Sequence, residues 1–139
     1  MAQKVMELSV DTGSILIEIK DEHGNKIGSF QIMPTDSDIV SRYEKVAEFF
    51  NNIVLPENPS DEDYIKISDG IKEQFDYLFN YSVSDSIFSK CGPLTIVTNG
   101  DFFFEDVMLK LCEIVEKITD QRVKKKMAKI NRATEKYHK

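Results

Sequence analysis

Short runs rich in β-branched residues, with apolar and polar positions partly alternating, occupy the first third of the chain. These runs are residues 5–10 (VMELSV), 15–20 (ILIEIK) and 27–33 (IGSFQIM). The links between them, residues 11–14 and 21–25, contain the Gly and Asp residues that tight turns require. The pattern predicts a three-stranded antiparallel meander within residues 1–34.

Apolar positions recur at helical spacings of three and four after Pro34. The first such stripe consists of Ile39, Tyr43, Val46, Phe50 and Ile53. It predicts an amphipathic helix over residues 37–54. Ser60 and the acids that follow it predict the start of a second helix, which continues to Phe79. A short helix is predicted over residues 85–90.

A long final helix is predicted to begin at Asp101, which is a candidate N-cap. Its core-facing stripe consists of Phe104, Val107, Leu111, Ile114 and Ile118, and it continues more thinly through Val123, Met127, Ile130 and Tyr137. Because Lys and Arg surround the thinner part, we expect that half to project past the core. Residues 94–100 fit either a strand or an extended link. The whole pattern predicts an α+β fold, in which the meander is followed by a bundle of three to four helices, the last one long and projecting.

Length and composition favour one globular domain. The chain has 139 residues, of which 41% are hydrophobic and 30% charged, and this suffices for a core without disulfides. No apolar run is long enough to span a membrane, and Glu7 lies where a signal peptide would need its apolar core. We expect a cytoplasmic domain made of the meander (1–34), a helical core (35–120) and a basic helical tail (121–139).

Charge is divided unevenly between the body and the tail. Residues 121–139 contain eight Lys or Arg and one Glu, whereas the first 120 residues have a net charge of −13. The body should repel nucleic acid, and the tail is the part that could attract it. A solvated helix end, a protein-docking segment and a nucleic-acid contact all stay open for the tail.

The residues that usually carry enzymatic chemistry are few and widely spaced. His23 lies in a predicted turn and His138 is next to last, which makes a shared metal site improbable. Cys91 and Cys112 are expected to be reduced, partly buried thiols, with a disulfide or a reactive thiol as the alternatives. Phosphate-binding glycine loops and nucleophile elbows are absent. We expect no catalytic, metal or cofactor site.

Aromatic residues are concentrated around the end of the second predicted helix. Phe75, Phe79 and Phe88 follow the spacing of a buried face and are expected in the core. Tyr77 falls off that face, and Tyr81 lies at the helix exit. These two tyrosines are therefore candidates for a surface that meets a partner.

Three consecutive phenylalanines open the final helix. Neighbouring side chains on a helix point about 100° apart, so the rings of Phe102, Phe103 and Phe104 cannot all face one core. We expect at least one of Phe102 and Phe103 to be exposed in a monomer or covered by another subunit. These rings and the long last helix favour a homo-oligomer.

Residues 71–118 (IKEQFDYLFNYSVSDSIFSKCGPLTIVTNGDFFFEDVMLKLCEIVEKI) resemble a segment of the small tail assembly chaperones of long-tailed phages and prophages of Gram-positive bacteria. In that family an aromatic-ended helix precedes a loop often written Phe-Gly-x-Gly-Thr. A short helix, a glycine-containing connection, a further helix and a basic C-terminus follow it. The resemblance extends over residues 28–139. This chain departs from the pattern at residues 81–84, Tyr-Ser-Val-Ser, which replace the loop glycines.

The resemblance implies a non-enzymatic protein of the bacterial host cytoplasm that binds the tape measure protein, and possibly the tail tube protein, during tail assembly. Candidate apolar contacts are Tyr77, Tyr81, Phe102 and Phe103, and candidate electrostatic contacts are Lys124, Lys125, Lys126 and Arg132. Two other functions are open. One is a small nucleic-acid-associated regulator that binds phosphate through the tail, and the other is a structural head–tail connector found in finished particles.

Overall fold

The computed structural model describes residues 2–137, and side chains as far as residue 133; His138 lies outside this range. Two strands and four helices follow one another along the chain: β1 (Ile15–Lys20), β2 (Lys26–Ile32), α1 (Ile39–Asn51), α2 (Asp61–Phe79), α3 (Ser84–Ile87) and α4 (Phe103–Tyr137). The predicted α+β class and the long final helix are confirmed. None of the helices in the described part has the length and apolar character needed to cross a membrane.

β1 and β2 form an antiparallel hairpin in which Ile15 lies opposite Ile32. The turn between them is held by Asp21, whose Oδ1 accepts hydrogen bonds from the backbone N–H groups of His23 (2.9 Å) and Asn25 (2.8 Å). Side chains of β1 alternate between half-buried and exposed positions, as expected for a sheet with one face on the core.

The first of the three predicted strands, residues 5–10, is not present in the described chain. Residues 5–10, which we call the arm, have no strand pairing and are exposed throughout. Residues 11–14, which were expected to form a turn into β1, are instead fixed to α4. The Gly13 carbonyl accepts a hydrogen bond from Arg122 Nη1 at 2.8 Å. The meander is therefore reduced to two strands.

Capping residues account for the start of α2. The Ser60 hydroxyl accepts from the Asp63 N–H (3.2 Å), and the Asp63 carboxylate accepts from the Ser60 N–H (2.9 Å). This reciprocal capping box satisfies two otherwise unpaired donors, and it confirms the predicted boundary. Gly70 in the middle of α2 allows close packing on α1, since a Cβ there would lie 2.9 Å from Phe49 Cζ.

The core lies between the inner face of the hairpin and the four helices. Its buried apolar residues are Phe30, Ile32, Val46, Ile71, Phe75, Leu78, Phe79, Val83, Ile87, Phe88, Phe104, Met108 and Leu111. The expected burial of Phe75, Phe79 and Phe88 is confirmed. Edge-to-face packing of Phe75 on Phe88, with ring centroids 5.2 Å apart, joins α2 to the segment after α3.

α4 extends well beyond this core. Its 35 residues correspond to about 52 Å at a rise of 1.5 Å per residue. Buried residues end at Leu111, Arg122 is the last half-buried position, and residues 123–133 are all exposed. The second half of α4 therefore projects from the body, as its residue pattern predicted.

Candidate functional site

A carboxylate holds the turn between α2 and α3. Asp76 Oδ1 accepts hydrogen bonds from the N–H groups of Val83 and Ser84, both at 2.8 Å, and Asp76 Oδ2 accepts from Ser84 Oγ at 2.8 Å. Asn80 ends α2 in the left-handed conformation (φ 55°, ψ 34°), which Asn tolerates better than most residues. The turn is thus tight although residues 81–84 contain no glycine.

Tyr77 and Tyr81 flank this turn and are partly exposed. Tyr77 is 40% exposed and Tyr81 is 44% exposed. The buried side of α2 presents Leu78 and Phe79 to the core, so Tyr77 falls on the other side of the helix. The predicted exposure of both tyrosines is confirmed, and their role in binding a partner stays a prediction.

Phe102 and Phe103 are both half-buried, so the expectation that at least one would be exposed in a monomer is wrong. Phe102 precedes the first residue of α4 and pairs with Ile96 in an isolated β-bridge. The helical spacing therefore does not apply to Phe102, whose ring stacks on Phe104 with centroids 6.0 Å apart. The Phe103 ring meets Phe88 at 6.0 Å in an edge-to-face contact. Packing within the chain accounts for both rings.

The projecting half of α4 is basic and exposed. Lys124, Lys125, Lys126 and Arg132 are all exposed, and no acid occurs between residues 121 and 133. Arg122 differs from these cations, because its Nη1 donates to the Gly13 carbonyl and to Thr35 Oγ1 (2.9 Å). The first cation of the tail therefore holds the fold together, and the later ones face solvent.

An apolar stripe runs along the same half of α4. Val123 is 53% exposed and Met127 is 49% exposed, and Ile130 continues the line at 43%. Their spacing of four and three residues places them on one side of the helix. We call these three residues the α4 stripe. With lysines on both sides, the stripe is an amphipathic surface suited to another helix.

A groove lies between β1 and the first half of α4. Its volume is about 1050 Å³, and its apolar lining includes Ile17 and Ile19 from β1 and Val107 and Leu111 from α4. At one side Lys110 Nζ contacts Asp106 Oδ2 at 3.0 Å. We call this cavity the β1–α4 groove. Its lining favours apolar side chains over a polar substrate.

The two thiols are free and half-buried, as expected. Burial and the nearby Glu116 charge raise the pKa of Cys112, while a hydrogen bond with Tyr43 acts in the opposite direction. The interaction with Cys112, followed by burial, raises the pKa of Tyr43. A raised thiol pKa lowers the thiolate fraction and hence the reactivity of Cys112. Over residues 2–137, no group of three or more His, Cys, Asp or Glu is placed to hold a metal ion.

Arg122, Asp76 and the arm are features that the sequence did not reveal. Arg122 is hydrogen-bonded to Gly13, 109 residues earlier, and to Thr35, 87 residues earlier. Local sequence patterns extend over only a few residues, so they could not predict these two contacts. The hydrogen bonds of Asp76 likewise depend on how the turn closes. The high exposure of the arm follows from the absence of a neighbouring strand.

No family model, curated protein or solved structure matches this chain. The surfaces that bear on function are therefore those described above: the α4 stripe with its flanking cations, the two tyrosines, and the β1–α4 groove.

Proposed function

We propose that this protein is a non-enzymatic tail assembly chaperone of a phage or prophage. It binds apolar helical segments of the tape measure protein in the host cytoplasm until tail tube subunits polymerise around them. The observation that carries the proposal is the α4 stripe: half-exposed apolar side chains on a helix that continues about 22 Å past Arg122.

Helix-on-helix contact is the mode of binding that this surface supports. An amphipathic client helix places its apolar face on the α4 stripe, as in other helix-recognition surfaces. The flanking lysines attract acidic residues beside the client's apolar face. The body of the chaperone, with its net charge of −13, keeps the complex soluble through repulsion between copies.

The strength of such a contact suits a chaperone that must release its client. Val123 and Met127 each have about half of their side-chain surface left to bury. Complete burial of such a side chain contributes about 1.5–3 kcal/mol, so the two together add about 2 kcal/mol. This corresponds to roughly a 30-fold gain in affinity, to which Tyr77 and Tyr81 add further apolar contact. Many modest contacts of this kind are broken readily when tube subunits compete.

Co-expression with tape measure fragments from the same genome tests the proposal. The wild-type chain is expected to raise the soluble fraction of a fragment and to be retained with it in a pull-down. The double substitution Val123→Ser and Met127→Ser should remove most of this effect. Val54→Ser is the matched control, because Val54 is 79% exposed and lies in the link between α1 and α2.

Circular dichroism of each variant establishes that the fold is intact. The proposal is wrong if the wild-type chain retains neither tape measure nor tail tube protein. It is also wrong about the surface if the double variant and the Val54 control protect the client equally.

The cations of α4 favour a second candidate, a nucleic-acid-associated regulator. Lys124, Lys125, Lys126 and Lys129 lie on an exposed helix with Arg132 and without an intervening acid, and such a helix attracts phosphates. A structural head–tail connector is distinguished by location, since a connector is found in finished particles whereas a chaperone is left out of them.

A further inference from the structure

The arm has the pattern of a strand that lacks a partner. Met6, Leu8 and Val10 alternate with Glu7 and Ser9, so in an extended backbone the three apolar side chains share one face. Their exposed fractions are 78%, 88% and 69%. In the described chain no hydrogen bond, ion pair or ring contact joins the arm to another segment. An apolar strand face this exposed is typical of a site of association.

β1 offers a matching backbone edge. It pairs with β2 on one side, and no described strand lies on its other side. β2, by contrast, packs closely against α3, because a Cβ on Gly28 would lie 2.5 Å from the Ser86 carbonyl oxygen. Ser89 Oγ also donates to the Ile27 carbonyl there at 3.2 Å. The free edge is therefore that of β1, whose six residues equal the arm in length.

Residues of β1 form one wall of the β1–α4 groove. Inward-facing residues of neighbouring strands share one face of a sheet. A third strand on β1 therefore places its apolar face next to Ile17 and Ile19, over the groove wall formed by Val107 and Leu111. The groove volume of about 1050 Å³ lies just above the range of about 300–1,000 Å³ for small-ligand pockets. A groove of this size suits a row of side chains better than one small molecule.

The link between the arm and β1 holds the arm away from its own sheet. Gly13 has a φ of +74°, its N–H donates to Asp11 Oδ1 at 2.8 Å, and its carbonyl accepts from Arg122 Nη1. Thr35 Oγ1 accepts from the same Arg122 nitrogen. These contacts fix residues 11–14 against α4, and the arm that precedes them is not paired with β1, so the hinge between the two is open. An open hinge next to an unpaired strand is the arrangement from which two copies exchange strands.

We propose that the protein forms a two-fold dimer by exchange of arms. The arm of each copy adds to the free edge of β1 in the other copy as a third strand, with its apolar face in the β1–α4 groove. The contact is self-complementary, so it closes with two copies. The dimer is independent of the proposed chaperone function, because the α4 stripe takes no part in it.

The mass of the full chain in solution gives the first test. Light scattering after gel filtration should show about twice the 16.0 kDa chain mass for the wild type. Leu8→Glu should reduce it to a single chain mass, because the new charge is placed against the apolar wall of the groove at Ile17 and Ile19. Ser9→Glu is the matched control, since it places the same charge on the outer face of the same arm, and it should stay dimeric. A monomeric wild type, or a dimer that survives Leu8→Glu, overturns the proposal.

A peptide experiment separates arm exchange from other dimers. A chain that lacks residues 2–10 should be monomeric and folded, because these residues are exposed and contribute nothing to the core. A fluorescent peptide of residues 2–12 should bind this truncated chain, and the same peptide with Leu8→Glu should bind at least about 10-fold more weakly. The proposal is contradicted if the unmodified peptide does not bind, which is the result expected if the arms of two copies pair with each other. It is also contradicted if both peptides bind equally well.

Discussion

Replacing Asp76 by Ala should be among the most damaging single substitutions at the surface of this protein. The carboxylate accepts three hydrogen bonds of 2.8 Å. The Val83 N–H keeps a second acceptor, the Tyr81 carbonyl at 2.9 Å. The Ser84 N–H and hydroxyl have no such reserve, and Ser84 is 5% exposed. The substitution therefore leaves two buried donors unpaired.

The free-energy loss can be worked from these contacts. Each buried donor left unpaired costs about 1–3 kcal/mol, and the weakened bond at Val83 adds a smaller loss. We expect Asp76→Ala to lower the free energy of unfolding by about 3–4 kcal/mol, which is a large part of the 5–15 kcal/mol typical of a domain. For a chain of 139 residues the melting temperature should fall by about 10–14 °C.

Urea unfolding followed by circular dichroism measures this loss. Ser84→Ala, which removes one of the three bonds, should cost about 1 kcal/mol. Glu73→Ala is the control: Glu73 is exposed on the same helix, and its replacement should change stability by less than about 0.5 kcal/mol. If Asp76→Ala behaves like Glu73→Ala, the carboxylate does not hold the turn and the reasoning is refuted.

Three further predictions concern the sheet, acid stability and nucleic acid. Gly28→Ala should lose about 2–3 kcal/mol in urea unfolding, because the new Cβ meets the Ser86 carbonyl; an unchanged midpoint would show that β2 and α3 are not in contact. The pKa of Asp36 is lowered, first by the Asp38 N–H and then by Arg42, so its contribution to stability is present above about pH 3.9 and is lost as the pH falls through the lower folded-state pKa. The stability difference between wild type and Asp36→Asn, measured by urea unfolding, should therefore shrink below about pH 4; a difference that persists at lower pH contradicts this. A gel shift at about 50 mM salt that weakens steeply with added salt would favour the regulator over the chaperone, which should give none.

Local sequence signals predicted most of the helical structure. The capping pair Ser60 and Asp63 marked the start of α2, and the apolar spacing marked the face that carries Phe75 and Phe79. Both signals act within a few residues, so they can be recognised without knowledge of the fold. The exposure of Tyr77 followed from the same spacing.

Features that depend on distant neighbours were not predictable in this way. Alternation in residues 5–10 shows that a strand is possible there, but it does not identify the strand that pairs with it. The position of that segment depends on Arg122, far along the chain. The exposure of Phe102 and Phe103 was misjudged because a helical spacing was assumed for both. Phe102 lies before α4, in a β-bridge with Ile96.

Hydrogen–deuterium exchange on the complex with a tape measure fragment tests the central claim most directly. Alone, residues 123–133 form an exposed helix end whose amides should exchange quickly. Client binding at the α4 stripe should slow these amides at least about 10-fold and leave the arm unchanged. Unchanged exchange over residues 123–133 in a complex that does form, with protection elsewhere, would contradict the account.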